Sequence, residues 1–335
     1  MDSLASSHAA ENGLPSLIVG VIADGERWVA GATDGTGMAP DAHTLFEIGS
    51  ISKVLTALAL ADAVVEGEAA LETPVEDLLV SSMSANSMTV GAHPGGPIRL
   101  VDLATHTSGL PRLAGNAFEG ADMSDPYAAY GPDALAAFLR SVEPATPPGS
   151  TYAYSNAGAG LLGFALAQNA ETSYADLVRQ RVLGSLRMEE TVETVPDELA
   201  SRFVGGHGAD GQPVPHWTWT EPTAGAGAWR SSVYDMLTLA EAAMDPSSTD
   251  LADALALSMQ PHAEIGGGQE MGLGWHRAPT PVGALVWHNG GTGGFSSFLG
   301  VVPDAGVAVV AITNRSSSVD AFASDLLRRL LTTPG

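Results

Sequence analysis

Apolar runs near the start of the chain predict a β-hairpin. Residues 17–23 form an unbroken run of apolar residues and glycine, and a second β-prone run covers residues 28–32. The Asp24-Gly25 pair between them is a strong turn signal in such a setting. The two runs are therefore predicted to pair as antiparallel strands.

The chain returns to strand-like patterns near its other end. Three β-prone runs cover residues 284–288, 295–302 and 306–313. Pro303-Asp304-Ala305 lies between the last two and predicts that they form a second hairpin. A closing helix is predicted over residues 319–331, where apolar side chains recur on one helical face, namely Phe322, Leu326, Leu327 and Leu330.

The pattern between these regions is mainly helical. From about residue 74 to residue 225 the chain is rich in Pro, Gly, Ser and Met, with helical stretches such as residues 157–168. Strands at both ends with helices between them predict an α/β (α+β) fold, in which helices flank one mainly antiparallel sheet built from both termini. The predicted domains are 14–75 with 226–335 for the sheet and 76–225 for an inserted helical domain. Residues 1–13 are predicted to be a flexible N-terminus.

Composition narrows the possible partners. The chain has 335 residues, of which 45% are hydrophobic, so it can bury a large core. A net charge of −24 disfavours binding to nucleic acid or to anionic membrane surfaces. Cysteine is absent, which excludes disulfides and thiolate chemistry. No signal-peptide pattern opens the sequence and no apolar run is long enough to span a membrane, so a cytoplasmic location is predicted and the oligomeric state stays open.

Ser50 and Lys53 form the most informative motif. Lys53 is the only lysine in the sequence, and every other fixed side-chain cation is arginine. Lysine can lose its proton in an apolar setting, whereas arginine effectively cannot. If a helix begins near Ser50, the three-residue spacing puts both side chains on one face, where a neutral amine would act as general base beside a nucleophilic hydroxyl. The alternative interpretation is a solvated lysine beside a helix-capping serine.

Two further stretches carry residues that an acyl-transfer site would use. Tyr154 supplies a phenol that can act as acid or base if Lys53 lowers its pKa, and Asn156 supplies an amide that can orient a substrate carbonyl or the lysine. A turn tyrosine next to a helix-capping Ser or Asn is the alternative there. In the glycine-rich segment 287–295, the amide of Gly291 can pair with that of Ser50 as an oxyanion hole. A plain glycine turn is the alternative, and a phosphate-binding loop is disfavoured because the segment lacks the Gly-Lys-Ser/Thr ending.

Other kinds of site find little support. No Gly-x-Ser-x-Gly occurs, which argues against an α/β-hydrolase nucleophile elbow. The histidines show no His-Glu-x-x-His or comparable spacing, so neither a catalytic metal nor another cofactor is predicted.

The order of these motifs resembles the class C β-lactamase superfamily. That group includes serine β-lactamases, penicillin-binding D,D-peptidases, D-aminopeptidases, family VIII carboxylesterases and related transacylases. The shared features are Ser-x-x-Lys at Ser50, Tyr-x-Asn at Tyr154, and a basic residue, any residue and glycine at 288–290. Three further stretches fit the same group, at 106–111, 294–297 and 313–314.

The resemblance implies a role for each matching residue. Ser50 would be acylated, Lys53 would be its base and Tyr154 would relay a proton to or from the leaving group. Asn156 would contact the substrate, and His288, Asn289 and Gly290 would stand in place of a Lys-Thr-Gly triplet. Because histidine carries at most part of a charge at neutral pH, the resemblance is closer to the esterase, D-aminopeptidase and transacylase branches.

The predicted function is a serine hydrolase acting on a small-molecule ester or amide, most similar to carboxylesterases and amidohydrolases. The first alternative is a transacylase that moves an acyl group from an ester to an amine or alcohol. The second is a catalytically silent binding protein on the same fold.

Overall fold

A computed structural model describes residues 1–36, 38–79 and 95–332 of the protein. A 3₁₀ turn at Gly49–Ile51 leads into the second helix, and a π-helical segment, Arg179–Leu183, joins two others. The α-helices are α1 (Asp2–Asn12), α2 (Ser52–Val65), α3 (Val75–Leu79), α4 (Leu100–Ala104), α5 (Pro132–Ser141), α6 (Asn156–Asn169), α7 (Tyr174–Val178), α8 (Gly184–Leu186), α9 (Glu221–Ala224), α10 (Val233–Met244), α11 (Ala252–Met259) and α12 (Asp320–Thr332).

Among the described residues, eight strands form one large antiparallel sheet, in the order β2-β1-β12-β11-β10-β9-β8-β7. Two short strand pairs, β3 with β6 and β4 with β5, lie outside it. The strands are β1 (Leu17–Ala23), β2 (Glu26–Ala32), β3 (Phe46–Glu47), β4 (Gly206–His207), β5 (Pro213–Val214), β6 (Arg230–Ser231), β7 (Ala263–Gly266), β8 (Gln269–Met271), β9 (His276–Thr280), β10 (Gly283–Gly291), β11 (Ser296–Val302) and β12 (Val307–Thr313).

The two termini meet in this sheet, as predicted. Strand β1 pairs with β2 on one side and with β12 on the other, so that Leu17 lies opposite Thr313. Asp24 and Gly25 at the β1–β2 turn have φ angles of 52° and 75°. Positive φ at both central residues is the geometry of the tight hairpin turn that matches strand twist, which confirms the predicted hairpin.

Three strands of the sheet were not predicted. Strands β7, β8 and β9 extend it beyond β10. They are short, and Gly266, Gly267 and Gly268 between β7 and β8 all adopt positive φ. Short strands separated by glycine leave little alternating pattern for a sequence to display.

Helices cover both faces of the sheet. Successive side chains on a strand point to opposite faces, so Ile18 and Val19 of β1 belong to different apolar clusters. Ile18 packs in the large cluster that includes α2 and α10, and Val19 packs in a smaller cluster with residues of α1 and α12. Strands β11 and β12 are buried along their whole length because both faces are covered.

The flexible N-terminus predicted for residues 1–13 is wrong. Residues 2–12 form α1, which ends at Gly13 in a left-handed conformation. Ala5 and Ala9 are spaced by one helical turn and are buried against the sheet. His8 stacks on Phe322 of α12, with 4.2 Å between the ring centroids. Small side chains allow the helix to approach its neighbours closely. The sequence of residues 1–13 does not indicate this packing, because the segment is short and largely polar.

The predicted inserted region contains α3 to α9 and the β4–β5 pair. Part of that prediction, residues 80–94, lies outside the described residues. The large cluster contains Leu103 and Leu161 of the inserted region as well as Leu55 of α2 and Leu237 of α10. The helical region and the sheet region therefore share a core, and the domain boundaries stay a prediction. Within the described ranges, no helix combines the length and apolarity needed to cross a membrane.

Candidate active site

Ser50 and Lys53 lie next to each other at the start of α2. Ser50 occupies the 3₁₀ turn, and Lys53 follows in the first turn of the helix. The two side chains are in hydrogen-bond contact, with 2.9 Å between Lys53 Nζ and Ser50 Oγ. The Lys53 Nζ also donates to the carbonyl oxygen of Ala226 at 2.7 Å. The spacing thus places an amine directly beside the serine hydroxyl.

The surroundings of Lys53 favour its neutral form. The side chain is only 3% exposed, and no carboxylate forms an ion pair with it in the part of the chain that the structure describes. Burial lowers the pKa of Lys53 well below its ordinary value, and the positive charge of Arg112 lowers it further. A neutral amine can donate to Ala226 and still use its lone pair to accept the Ser50 proton. The interpretation of Lys53 as a solvated surface lysine is therefore wrong.

Tyr154 lies over the same amine. Lys53 Nζ is 4.9 Å from the Tyr154 ring centroid, and the guanidinium carbon of Arg112 is 5.0 Å from it. Burial raises the pKa of Tyr154, and a hydrogen bond with Ser50 offsets this only in part. A role for Tyr154 as a base would need a lowered pKa, and its pKa is raised instead. The Tyr154 hydroxyl therefore keeps its proton and can donate it.

A tight turn supports the segment that carries Tyr154. His106 has a φ of 58°, and its ring lies 4.4 Å from the Tyr154 ring. The backbone N–H of Ser155 donates to Nδ1 of His106 at 3.2 Å, and Ser155 Oγ donates to the Pro111 carbonyl at 2.7 Å. The same Oγ accepts from the N–H of Gly158 at 2.9 Å, which makes Ser155 the N-cap of α6. The motif at 106–111 thus holds Tyr154 and Asn156 in place.

The C-terminal end of β10, beyond its pairing with β9, packs against the turn that carries Ser50. A Cβ on Gly290 would lie 2.0 Å from the Ile48 carbonyl oxygen, and one on Gly49 would lie 2.6 Å from the Gly291 nitrogen. Only glycine permits so close an approach between the two backbones. Gly290, Gly291 and Ser50 consequently line one cleft, the arrangement that the predicted oxyanion hole requires.

His288 of β10 does not line this cleft. Its side chain is fully buried, and Nδ1 donates to the Asn289 carbonyl at 2.6 Å. Burial lowers the pKa of His288 well below its ordinary value, with the charges of His276 and Lys53 contributing. The imidazole is therefore neutral and faces the interior. Direct substrate contact by His288, expected from the sequence, is at odds with this burial, whereas Asn289 lines the cleft.

The cleft has a volume of about 720 Å³. It brings together Ser50, Tyr154, Asn156, Asn289, Gly290 and Gly291 from the predicted set, and Lys53 reaches it through Ser50. Its walls also include residues to which the sequence motifs assign no role, among them Arg112, Tyr127, His276 and Asp320. Arg112 directly follows the 106–111 motif, a signal that could have identified it.

Asp320 marks the sheet side of the cleft. The Asn289 side-chain amide donates to its Oδ2 at 2.7 Å. Its Oδ1 is shielded from solvent and accepts no hydrogen bond from the described residues. Across the described ranges, no three His, Asp or Glu side chains converge in a way that could hold a metal ion.

Known proteins show the same organisation. The sequence model of the Beta-lactamase family matches residues 1–333. A beta-lactamase from Pseudomonas fluorescens is 26% identical over 82% of this chain and 80% of its own length. Penicillin-binding protein 4 from Amycolatopsis lactamdurans is 27% identical over 96% of this chain and 86% of its own.

Two further relatives extend the comparison. The D-alanyl-D-alanine-carboxypeptidase/endopeptidase AmpH of Escherichia coli K12 is 26% identical over 84% of this chain and 74% of its own. The crystal structure of a class C beta lactamase from Rhodobacter sphaeroides superposes with a TM-score of 0.84 at 25% identity, covering 98% of this chain and 99% of that one. The similarity therefore includes the helical region and the sheet together.

Proposed function

The chain belongs to the beta-lactamase family, and on that basis we propose that it is a serine hydrolase that cleaves an ester or amide through an acyl-enzyme on Ser50. The observation that carries the proposal is the buried amine of Lys53, 2.9 Å from Ser50 Oγ and with its pKa lowered by burial. A hydroxyl beside a neutral amine is an activated nucleophile.

The proposed reaction has two halves, the acylation and the deacylation of Ser50. Ser50 Oγ attacks the carbonyl carbon while its proton passes to Lys53 Nζ, and the amides of Ser50 and Gly291 stabilise the oxyanion. Tyr154 donates its proton to the leaving group as the carbon–leaving-group bond breaks, and the Lys53 ammonium returns a proton to Tyr154. Water then attacks the acyl carbonyl while Lys53 Nζ takes its proton, and the Lys53 ammonium returns a proton to Ser50 Oγ as the acyl–oxygen bond breaks, which releases the acid and restores Ser50.

The sheet side of the cleft supports an esterase or amidase activity over efficient β-lactam hydrolysis. A neutral, buried His288 offers no cation to a substrate carboxylate there, and Asp320 adds a negative charge on the same side. The assignment of esters or amides as the substrates rests on this charge pattern.

Acyl transfer is a second candidate, favoured by one observation. The Asp320 carboxylate lines a cleft of about 720 Å³, which is wide enough for an acyl group and a second molecule. It could hold an acceptor that carries a positive charge. Transfer would then replace water with that acceptor in the second half of the reaction. A cytoplasmic location stays a prediction.

A substrate panel tests the proposal. We expect turnover of p-nitrophenyl esters or D-amino-acid amides at rates at least about tenfold above those for a chromogenic cephalosporin, compared as kcat/KM. The reverse order would contradict the assignment. Repeating the ester assay with added amines separates the two candidates, since an amide yield well above that expected from the amine concentration would show transfer, and acid alone would show hydrolysis.

The pH profile should report the lowered pKa of Lys53. The neutral amine is the reactive form, so kcat/KM should fall about tenfold per pH unit below that pKa and reach a plateau above it. Because burial and Arg112 lower the pKa, the plateau should begin well below 10.5, the ordinary value for lysine. The neighbouring His276 has its pKa lowered to about 4 by burial and by Lys53, so it stays neutral near pH 7. A rise in kcat/KM centred near the ordinary lysine value would contradict the account.

A further inference from the structure

Arg112 lies on the helical side of the cleft, next to the catalytic groups. Its backbone carbonyl accepts hydrogen bonds from the N–H of Asn156 at 2.9 Å and of Ala157 at 3.3 Å, which fixes it at the start of α6. Its guanidinium carbon lies 5.0 Å from the Tyr154 ring centroid. Its side chain is exposed to the cleft that contains Ser50.

Arg112 differs from most other arginines of the protein in its ion pairing. Most other arginines form ion pairs with Asp or Glu, namely Arg27, Arg99, Arg179, Arg181, Arg202, Arg230, Arg277, Arg328 and Arg329. Within residues 1–36, 38–79 and 95–332, no carboxylate forms an ion pair with Arg112. In a chain with a net charge of −24, an arginine without a carboxylate partner in a catalytic cleft is available to an anion from outside.

The opposite side of the cleft carries a negative charge. Asp320 lines it through the contact with Asn289, and the nearby His288 is buried and neutral. An anionic group of a substrate is repelled there and attracted by Arg112. Guanidinium also matches carboxylate in geometry, since two of its N–H groups can bind both carboxylate oxygens.

We propose that Arg112 binds a carboxylate of the substrate and thereby selects anionic esters or amides. The inference rests on the proposed function for its catalytic consequence and deepens it by assigning a substrate class. The carboxylate can belong to the acyl part or to the leaving group, and the experiment separates these two sources.

Matched substrate pairs test the selection. For the acyl part, mono-4-nitrophenyl glutarate is compared with 4-nitrophenyl valerate, and for the leaving group, 4-acetoxybenzoate is compared with 4-acetoxybenzamide. The measured quantity is the ratio of kcat/KM for the charged to the neutral member. Arg112→Gln should lower this ratio about tenfold for one pair, the size typical of a charge-assisted hydrogen bond in a partly open site. Arg112→Lys should keep part of the preference.

The ratio isolates the charge effect. Arg112 also lowers the pKa of Lys53, so its replacement alters the turnover of both members of a pair. Arg140 is the matched control, because it is an exposed arginine on α5 that is absent from the cleft. Arg140→Gln should keep the wild-type ratio. Equal ratios in the wild type and in Arg112→Gln for both pairs, with Ser50 still acylated, would overturn the role of Arg112 and leave the proposed function standing.

Binding of a product-like anion needs no turnover. Glutarate and the neutral glutaramide can be titrated by calorimetry into the intact wild type, Arg112→Gln and Arg140→Gln. We expect glutarate to bind about tenfold more weakly to Arg112→Gln than to the other two. Glutaramide should not discriminate among them. If Ser50 proves unreactive, this result still supports the anion site, and equal glutarate affinities in all three proteins would reject it.

Discussion

Replacing Ser50 with alanine should lower kcat for the best ester by on the order of 10⁵-fold, because the reaction then lacks its nucleophile. Residual activity would come from water attacking a substrate that is still bound and polarised. Michaelis–Menten kinetics on the purified variant, together with the background hydrolysis rate, give the comparison.

The fold should survive this change. The Ser50 hydroxyl contacts Lys53 and Tyr154, and the loss of such a hydrogen bond costs about 1 kcal/mol. Thermal unfolding should therefore remain cooperative, with a small shift in Tm. A Ser50→Ala protein that keeps a substantial fraction of wild-type kcat would refute the nucleophile assignment.

Lys53→Met should lower kcat/KM by about a thousandfold or more, because it removes the general base while keeping a side chain of similar length. The effect should appear in kcat, since Lys53 does not line the cleft and contributes little to substrate binding. Lys53→Arg should be equally inactive, because a guanidinium cannot accept the Ser50 proton at any pH that the protein tolerates.

Loss of stability must be separated from loss of the base. Lys53→Met leaves the Ala226 carbonyl without its donor, and Lys53→Arg adds volume and a permanent charge to a buried position. Lys53→Ala gives a third comparison, in which small amines can enter the vacated space. Activity restored by methylamine, in proportion to its unprotonated fraction, would identify the missing function as that of a base. Normal activity in Lys53→Arg would exclude the general-base role.

Local patterns were sufficient to predict the parts of the fold where sequence and contact coincide. The β1–β2 hairpin follows from two apolar runs around Asp24-Gly25, and β11 and β12 are apolar because helices cover both of their faces. Helix α1 was missed because its buried face consists of small alanines, whose burial depends on the neighbouring sheet. Strands β7 to β9 were missed because they are short and interrupted by glycines.

Some residues of the candidate site could likewise be predicted from the sequence, and others could not. Ser50, Lys53, Tyr154 and Asn156 were predicted because they occur in short motifs whose spacing within a helix or turn determines their geometry. Asp320 belongs to no such motif, since its position in the cleft results from packing between distant segments, whereas the place of Arg112 directly after the 106–111 motif is a signal that could have identified it. The burial of His288 likewise depends on its tertiary neighbours, so the sequence could suggest a weak charge but could not show that the ring faces inward.

Covalent labelling shows whether Ser50 is the nucleophile. The intact protein is incubated with a fluorophosphonate, and the mass and the modified peptide are determined for the wild type, Ser50→Ala and Ser141→Ala, where Ser141 is an exposed serine of α5. We expect one adduct on Ser50 in the wild type and in Ser141→Ala, formed more slowly as the pH falls, and no adduct in Ser50→Ala. A wild-type protein that remains unlabelled while folded, or that is labelled at another residue, would contradict this expectation and favour a catalytically silent binding protein.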